Sequence, residues 1–392
     1  MSSNPTPVQS VLLVDDTPEN LQMLVHTLRD AGARLLIAKD GTSALTIARK
    51  ALPDLILLDI MMPDIDGFEV CRQLKSEAAT EAIPIIFLSA LSDTTDKVRG
   101  FNLGAVDYIT KPFQPEEVIA RVVTHLTLHR LRREVQDHSD QLERELKVVS
   151  QIQRELLPAG LPDIPGLSMA VFYETSRYAG GDYFDIVRVS DHRWGILVAD
   201  AEGHGAPAAV MMAMTCALFR SCDSIHGKPA QLLTTINNHL CRVNDSSFVT
   251  AVYGVYDSRD RRLCLARAGH PLPMVYRPSE DRIITLASEG VPPLGWEPYD
   301  DVPESRFCLA PGDRLLLYTD GVTERFNPQG TEYGEDRLAS RLAGGRGTHP
   351  GALTHFITDD LAFFAGGRPA DDDQLMVLAT VDADPPIQGN LS

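Results

Sequence analysis

LILLDIMMPDIDGFE, residues 55–69, decides the first half of the fold. An apolar run of strand length ends on Asp59, and a turn rich in Pro, Asp and Gly leads into a helical-period segment from Gly67. The same alternation extends on both sides from Val11 to about Thr124. It runs through VLLV, a helix through LQMLVHTLRDAG, RLLIA, a helix from Thr42, then IPIIFLS and VDYIT. Strands alternating with helices predict a doubly wound α/β domain with a parallel sheet, whose ligands gather at the carboxyl ends of the strands. Asp15 and Asp16 end the first run, Asp59 the third and Ser89 the fourth, and Lys111 follows the fifth.

Three carboxylates at one edge form a hard-oxygen site for Mg2+, and one of them can act as a nucleophile carrying an acyl phosphate. Lys111 would pair with phosphoryl oxygens, and Ser89 would donate a hydrogen bond to one of them. The plainer alternative is that Asp15 and Asp16 only cap the next helix. Through VDD, LLDIMMPDIDGFE, LSA and KPF the segment resembles the receiver domains of two-component response regulators. The resemblance implies Asp59 as phospho-acceptor, and Asp15, Asp16, Asp59 and the Met61 carbonyl as Mg2+ ligands. It also implies Ser89, Tyr108 and Lys111 as switch residues and a histidine kinase as phosphodonor.

The 392 residues fit two domains and a connector, with 44% hydrophobic residues. The 54 acidic against 36 basic residues, a formal charge of −18, argue against nucleic acid, which is bound through clustered Lys and Arg. No basic-faced helix-turn-helix follows the first domain, which disfavours a transcription factor. No apolar run has membrane-spanning length, and the start lacks a signal-peptide pattern. Six cysteines without a C-x-x-C pair read as reduced core thiols of a cytoplasmic protein. These features set domain limits at 9–124 for the receiver, 125–157 for a helical linker, 158–384 for a second domain and 385–392 for a tail.

In the linker, Leu128, Leu131, Val135, His138, Leu142, Leu146, Val149, Ile152 and Leu156 recur every three or four residues. This stripe is expected to form a coiled coil that makes the chain a homodimer, against the alternative of a helix packed along its own domain.

Beyond Pro158 the period changes to two, in LSMAVFYE, DYFDIVRVS, RWGILVAD, FVTAVYGVYD, RLCLARAGH, MVYR, DRLLLYTD and QLMVLATV. Helical stretches intervene at PAAVMMAMTCALFRSC, PAQLLTTINNHLCRV and after Glu335. The pattern predicts an α+β antiparallel β-sandwich flanked by helices. Four motifs, GGDYFD (180–185), DAEGHG (200–205), YTDGVTE (318–324) and DDDQ (371–374), set Asp at strand ends or tight turns. Such an oxygen-rich group suits two Mn2+ or Mg2+ ions, which activate water without a protein nucleophile. The cysteines form no Cys-x5-Arg phosphatase loop, and Met211, Met212 and Met214 read as helical core filling.

With QRELLP, RAGHP, PPLG and PGDRLLLYTDGVTE, these motifs resemble the protein phosphatase 2C superfamily, in its SpoIIE and RsbU branch, over about residues 151–384. The resemblance implies Asp182 and bridging Asp200, the Ala201 carbonyl, Asp320 and Asp371 as metal ligands. Gln374 stands where the family has Thr or Ser, so the register among Asp371, Asp372 and Asp373 stays open, with Asp371 preferred and Asp372 adjacent. Glu202 replaces a small residue. Gly203 and His204 are further site candidates, His204 and His270 are candidate proton donors, and Glu324 and Arg325 are expected to shape their loop. The implied activity is a phospho-Asp59-controlled protein serine/threonine phosphatase acting on a phosphorylated anti-sigma-factor antagonist. The alternative is a gated adaptor with an inert phosphatase domain.

Overall fold

The structure, a computed structural model, describes residues 9–29, 32–90, 94–176, 179–243, 247–345 and 349–383. The chain divides into two compact units, residues 1–141 and 142–392. The expected tail, 385–392, and the expected domain end at 384 lie outside the described residues.

In the first unit, strands β1 (Ser10–Val14), β2 (Arg34–Ala38), β3 (Leu55–Asp59), β4 (Ile85–Ala90) and β5 (Asp107–Lys111) form a parallel sheet in the order β2-β1-β3-β4-β5. Helices α1 (Pro18–Leu28), α2 (Gly41–Ala51), α3 (Gly67–Ser76) and α4 (Thr94–Asn102) connect them. Strand β3 is buried throughout because it is central. Ile56 and Leu58 pack in one core, while Leu55 and Leu57 pack in another with Val118 and Val122 of the following helix. Local sequence sets the helix starts. Asp40 accepts from Ser43 N at 2.6 Å to begin α2, and Asp66 accepts from Glu69 N at 2.7 Å to begin α3. Strand order reverses between β1 and β3, so the residues ending those strands face one crevice.

Helix α5 (Pro115–Leu156) is 42 residues long, so the last receiver helix and the expected linker are one element. The expected boundary at 124/125 falls within this helix, which no Gly or Pro interrupts there, and the division between units also falls inside it. Leu128, Leu131, Val135, Leu142 and Ile152 of the apolar stripe are exposed.

The second unit holds two antiparallel five-stranded sheets. One, in the order β13-β10-β9-β8-β7, contains β7 (Asp182–Arg188), β8 (Arg193–Ala201), β9 (Val249–Asp257), β10 (Arg262–Ala268) and β13 (Glu304–Cys308). The other, in the order β12-β11-β14-β15-β6, contains β6 (Leu167–Glu174), β11 (Met274–Arg277), β12 (Arg282–Thr285), β14 (Arg314–Tyr318) and β15 (Gln374–Val381).

Val198, Val252 and Leu265 of the first sheet meet Leu315, Leu317 and Val377 of the second in the central core. On the outer faces, α6 (Ala206–Ser221) and α7 (Pro229–Val243) cover the first sheet, and α9 (Glu335–Gly344) and α10 (Pro350–Ala365) cover the second. Met211 and Met212 fill the α6 core, while Met214 packs at its margin. Edge strands β12 and β13 were not foreseen, because RIIT and ESRFC are short and half polar. Of the cysteines, Cys71 and Cys216 are buried, but Cys308 is exposed, so the expectation of uniformly core thiols is too broad. No helix among the described residues is long and apolar enough to cross a membrane.

Candidate functional site

At the receiver-type crevice, ligand oxygens of Asp15, Asp16 and Asp59 lie within 4.8 Å of one another. Asp15 and Asp59 are buried and Asp16 is exposed. Lys111 Nζ lies 2.8 Å from both Asp15 Oδ2 and Asp59 Oδ1. Asp15 Oδ1 also accepts from Thr17 N at 3.0 Å and from Asn20 Nδ2 at 2.9 Å.

Burial pushes the Asp59 carboxyl above its usual range, opposed by its hydrogen bond to Lys111 and by the Met61 N–H. Burial pulls Lys111 down, but its bonds to Asp15 and Asp59 outweigh this and raise it overall. The N-cap of α1 is Thr17, without a side-chain capping bond, so capping does not account for Asp15 and Asp16. Ser89 is buried, and its hydroxyl has no partner among the described residues, as suits a donor facing a ligand position. Tyr108 is half-buried between the Phe101 ring, 6.1 Å away edge-on, and the Arg121 guanidinium at 5.6 Å. Met61 is exposed.

In the second unit, Asp182 opens β7 directly across from Asp200 of β8. Asp182 is buried and accepts from Thr319 Oγ1 at 2.8 Å, and the same hydroxyl accepts from Leu375 N at 3.1 Å. Asp320 begins the short helix α8 (Asp320–Thr323), immediately after Thr319. Asp373, just before β15, is buried and accepts from Gly181 N at 2.7 Å and Ser176 N at 2.8 Å. The glycine pair is sterically required. A Cβ at Gly180 would stand 2.0 Å from Asp373 Oδ2, and one at Gly181 would stand 2.3 Å from the Ala201 carbonyl oxygen.

Electrostatics groups five carboxyls together. Asp182 is pushed well above the carboxylate range by burial, then by Asp200 and Asp373, with Thr319 opposing. Asp200 is raised by burial, then by Asp320, Asp372 and Asp373. Asp320 is raised by burial, and Asp372 by burial with Asp373 and Asp320 adding. Carboxyls that raise one another in this way favour protons or cations. Asp182, Asp200, Asp320, Asp372 and Asp373 supply an all-oxygen set of the kind that suits hard divalent ions such as Mg2+ or Mn2+, while among the described residues ligand oxygens of a carboxylate group lie within 4.8 Å of one another at Asp15, Asp16 and Asp59.

Asp371 does not join this group. It is exposed, and its Oδ2 accepts from Arg368 Nη2 at 2.9 Å. Burying Asp373 beneath the Gly180–Gly181 turn leaves the residue two positions earlier on the outside of the loop. Arg325 donates to the carbonyls of Arg368 and Pro369 and so shapes the loop. Of the three aspartates, Asp372, itself exposed, and buried Asp373 are the ones whose charges act on Asp182 and Asp200. His204, Gly203 and Glu202 are exposed. His270 is buried and bonded to Thr250 Oγ1 at 2.9 Å. Burial pulls it down to about 3, which favours the neutral imidazole. Asp185, the second Asp of GGDYFD, accepts from Tyr183 Oη and from Arg220 Nε, tying β7 to α6.

Three residues were not foreseen individually. Thr319 orients Asp182, and Tyr173 is raised by burial and then by Asp373 and Asp182. Gln153, near the end of α5, is buried. Its Nε2 donates to Gly180 O at 2.7 Å, and Gly180 N donates to its Oε1 at 3.2 Å.

Comparison with known proteins agrees with both halves. The response regulator receiver domain matches residues 11–123, and the stage II sporulation protein E (SpoIIE) family matches residues 190–382. The chain thus joins a segment matching the response regulator receiver domain to one matching the stage II sporulation protein E family.

Among curated proteins, the DNA-binding response regulator MtrA of Mycolicibacterium smegmatis is 44% identical over 118 residues, which is 30% of this chain and 50% of MtrA. The chain spans about half the length of the curated relatives it matches. The SiaA-PP2C domain of Pseudomonas aeruginosa aligns with 63% of this chain and 98% of its own at 22% identity and TM-score 0.54, a likeness of fold. The RsbU and RsbW domains of Rv1364c from Mycobacterium tuberculosis align with 59% of this chain and 64% of theirs, at 25% identity and TM-score 0.49.

Proposed function

We propose that this chain is a response regulator in which phosphorylation of Asp59 controls a metal-dependent protein serine/threonine phosphatase. The observation that carries the reading is that Asp182, Asp200, Asp320 and Asp372 are each raised by burial, with neighbouring aspartates adding at Asp182, Asp200 and Asp372, so their charges are disfavoured unless cations are present. Asp182, Asp200, Asp320, Asp372 and Asp373, with the Ala201 carbonyl, would hold two Mn2+ or Mg2+ ions. When bound, such ions lower the pKa of a water and offset phosphoryl charge. The chain's own residues fix the geometry. Thr319 orients Asp182, the Gly181 and Ser176 N–H groups orient Asp373, and Gln153 holds the Gly180 turn.

In the receiver, Asp15, Asp16, Asp59 and the Met61 carbonyl would hold Mg2+. The Asp59 carboxylate attacks the phosphorus of a histidine kinase's phosphohistidine, the P–N bond breaks, and an acyl phosphate forms. Lys111, 2.8 Å from Asp59, is placed to pair with the phosphoryl oxygens, and the Ser89 hydroxyl is placed to donate to them. Tyr108 would respond with Ser89.

The signal would travel along α5, whose Gln153 contacts the metal-site turn. The exposed apolar stripe from Leu128 to Ile152 supports pairing of two copies over residues 125–157. The proposed domains are 9–124, 125–157 and 158–384, in a cytoplasmic protein. The branch resemblance favours a phosphorylated anti-sigma-factor antagonist as substrate. An inert adaptor is disfavoured because the carboxylate group is intact.

The test is Mn2+-dependent phosphate release from p-nitrophenyl phosphate and a phosphoserine protein, with and without acetyl phosphate. Activity is expected in wild type, is lost in Asp200→Ala, and loses its response to acetyl phosphate in Asp59→Ala. Release that persists in Asp200→Ala refutes the enzymatic site, and a response that persists in Asp59→Ala refutes the switch.

A further inference from the structure

Trp296 exposes 62% of its surface, yet its loop is firmly held. Trp296 N donates to Pro293 O, and Gly295 N donates to Asn237 Oδ1 at 2.8 Å. Asn237, itself buried, donates from Nδ2 to Glu297 O at 3.0 Å. The indole rests edge-on against Phe248, with ring centroids 5.1 Å apart. An aromatic already fixed while facing water loses little freedom on binding, which suits it to anchor a partner.

Its position gives the anchor a purpose. The Phe248 carbonyl accepts from Glu202 N at 2.9 Å, and Glu202 lies two residues past Asp200. That chain of contacts puts the indole within roughly 20 Å of Asp200, a gap that about four to six extended residues span. The surrounding charge is acidic, since Glu202, Glu297, Asp300 and Asp301 are all exposed. Such a rim favours a basic partner.

We propose that the Phe248–Trp296 platform docks the phosphoprotein substrate. It takes an apolar side chain flanked by Lys or Arg about four residues from the phosphoserine. This rests on the phosphatase reading of the acidic site and assigns it a substrate class.

The test uses the full chain with Mn2+ and two phosphoserine peptides of equal length. One carries Leu between two Arg four residues to either side of the phosphoserine, and the other carries Gly between two Glu. Wild type is expected to favour the first by about tenfold or more in kcat/KM. Trp296→Ala removes the preference and leaves p-nitrophenyl phosphate turnover unchanged. A wild type indifferent to the two peptides, or a preference that survives Trp296→Ala, overturns the proposal.

If Trp296→Ala also loses p-nitrophenyl phosphate turnover, the pair Glu297→Lys and Asp300→Lys decides. Reversal of the peptide preference supports docking, and an unchanged preference overturns it. A fall in oligomer mass with unchanged preference assigns the platform to a second copy and also overturns it. Failure of the phosphatase reading shows separately, as no turnover of any substrate by wild type. Docking then stands or falls on tryptophan fluorescence, because Trp194 is buried and Trp296 is exposed. A blue shift with the Leu/Arg peptide alone supports it, and none refutes it.

Discussion

Replacing Gln153 by Ala isolates the contact between α5 and the acidic site. The side chain satisfies both backbone groups of Gly180, at 2.7 and 3.2 Å, in a buried setting. Ala leaves a carbonyl and an N–H without those partners, at about 1–3 kcal/mol each where water cannot reach them. Partial relaxation of the turn makes a total loss of about 2–4 kcal/mol reasonable, and a phosphatase-sized domain then melts roughly 5–12 °C lower. The effect should reach the site, because Gly181 N is the donor to Asp373 and Asp182 is the next residue. The Mn2+ concentration giving half-maximal p-nitrophenyl phosphate turnover is therefore expected to rise severalfold. Gln153→Glu keeps an acceptor for Gly180 N but turns a buried carboxylate oxygen toward Gly180 O beside the aspartates, so it should destabilise at least as much as Ala. Thermal melts and Mn2+ titrations of the three proteins, with calorimetry of Mn2+ binding, measure this. Wild-type melting and Mn2+ dependence in Gln153→Ala would show that the helix does not hold the site.

Asp371→Ala should leave Mn2+ affinity and turnover near wild type, whereas Asp372→Ala and Asp373→Ala should weaken Mn2+ binding by at least tenfold; the reverse order in calorimetry would restore Asp371 as ligand. Without metal, Asp200→Asn should melt above wild type, because burial and neighbouring aspartates disfavour its charge, and Mn2+ should no longer raise its Tm; a lower metal-free Tm refutes the repulsion. His270, lowered to about 3 by burial against about 6.5 unfolded, contributes stability present above the unfolded value and lost as pH falls toward the folded one. Wild type should therefore lose stability relative to His270→Gln by about 1.4 kcal/mol per pH unit between about pH 6 and 4 in urea unfolding, and parallel pH profiles would refute a neutral buried imidazole.

The receiver fold was readable because hydrophobic period and chain direction are both fixed in its strands, and several of its candidate site residues stand at strand ends. Asp59 closes LILLD, and Lys111 closes DYITK. The sandwich strands were readable for the same reason, except RIIT and ESRFC, whose edge positions leave them half polar.

The register of the last acidic motif was not legible in the sequence. DDDQ offers three identical side chains, and the choice depends on a contact with Gly181 and Ser176, 192 and 197 residues away, which no local pattern encodes. Gln153 was hidden differently. On a polar helix a Gln carries no period of its own, and its burial arises from Gly180. His270 looked reactive in a Gly-flanked turn, yet the fold encloses it and gives it Thr250.

The two acidic sites differ in what balances their charge, and that difference bears on control. Asp15 and Asp59 share Lys111 at 2.8 Å, so the receiver crevice carries its own counterion. The strongest influences on Asp182 and Asp200 are burial and other aspartates. Order in the second site is therefore the more dependent on bound cations, and a small change in the Gly180–Asp182 turn changes the repulsion among five carboxyls at once. Under the proposed control by Asp59, a signal would not have to deliver a new catalytic group; it would only have to alter how firmly Gln153 holds Gly180. Metal affinity, more than any step of the chemistry, is then the quantity through which Asp59 would act, and a phosphodonor should shift Mn2+ dependence before it changes turnover at saturating Mn2+.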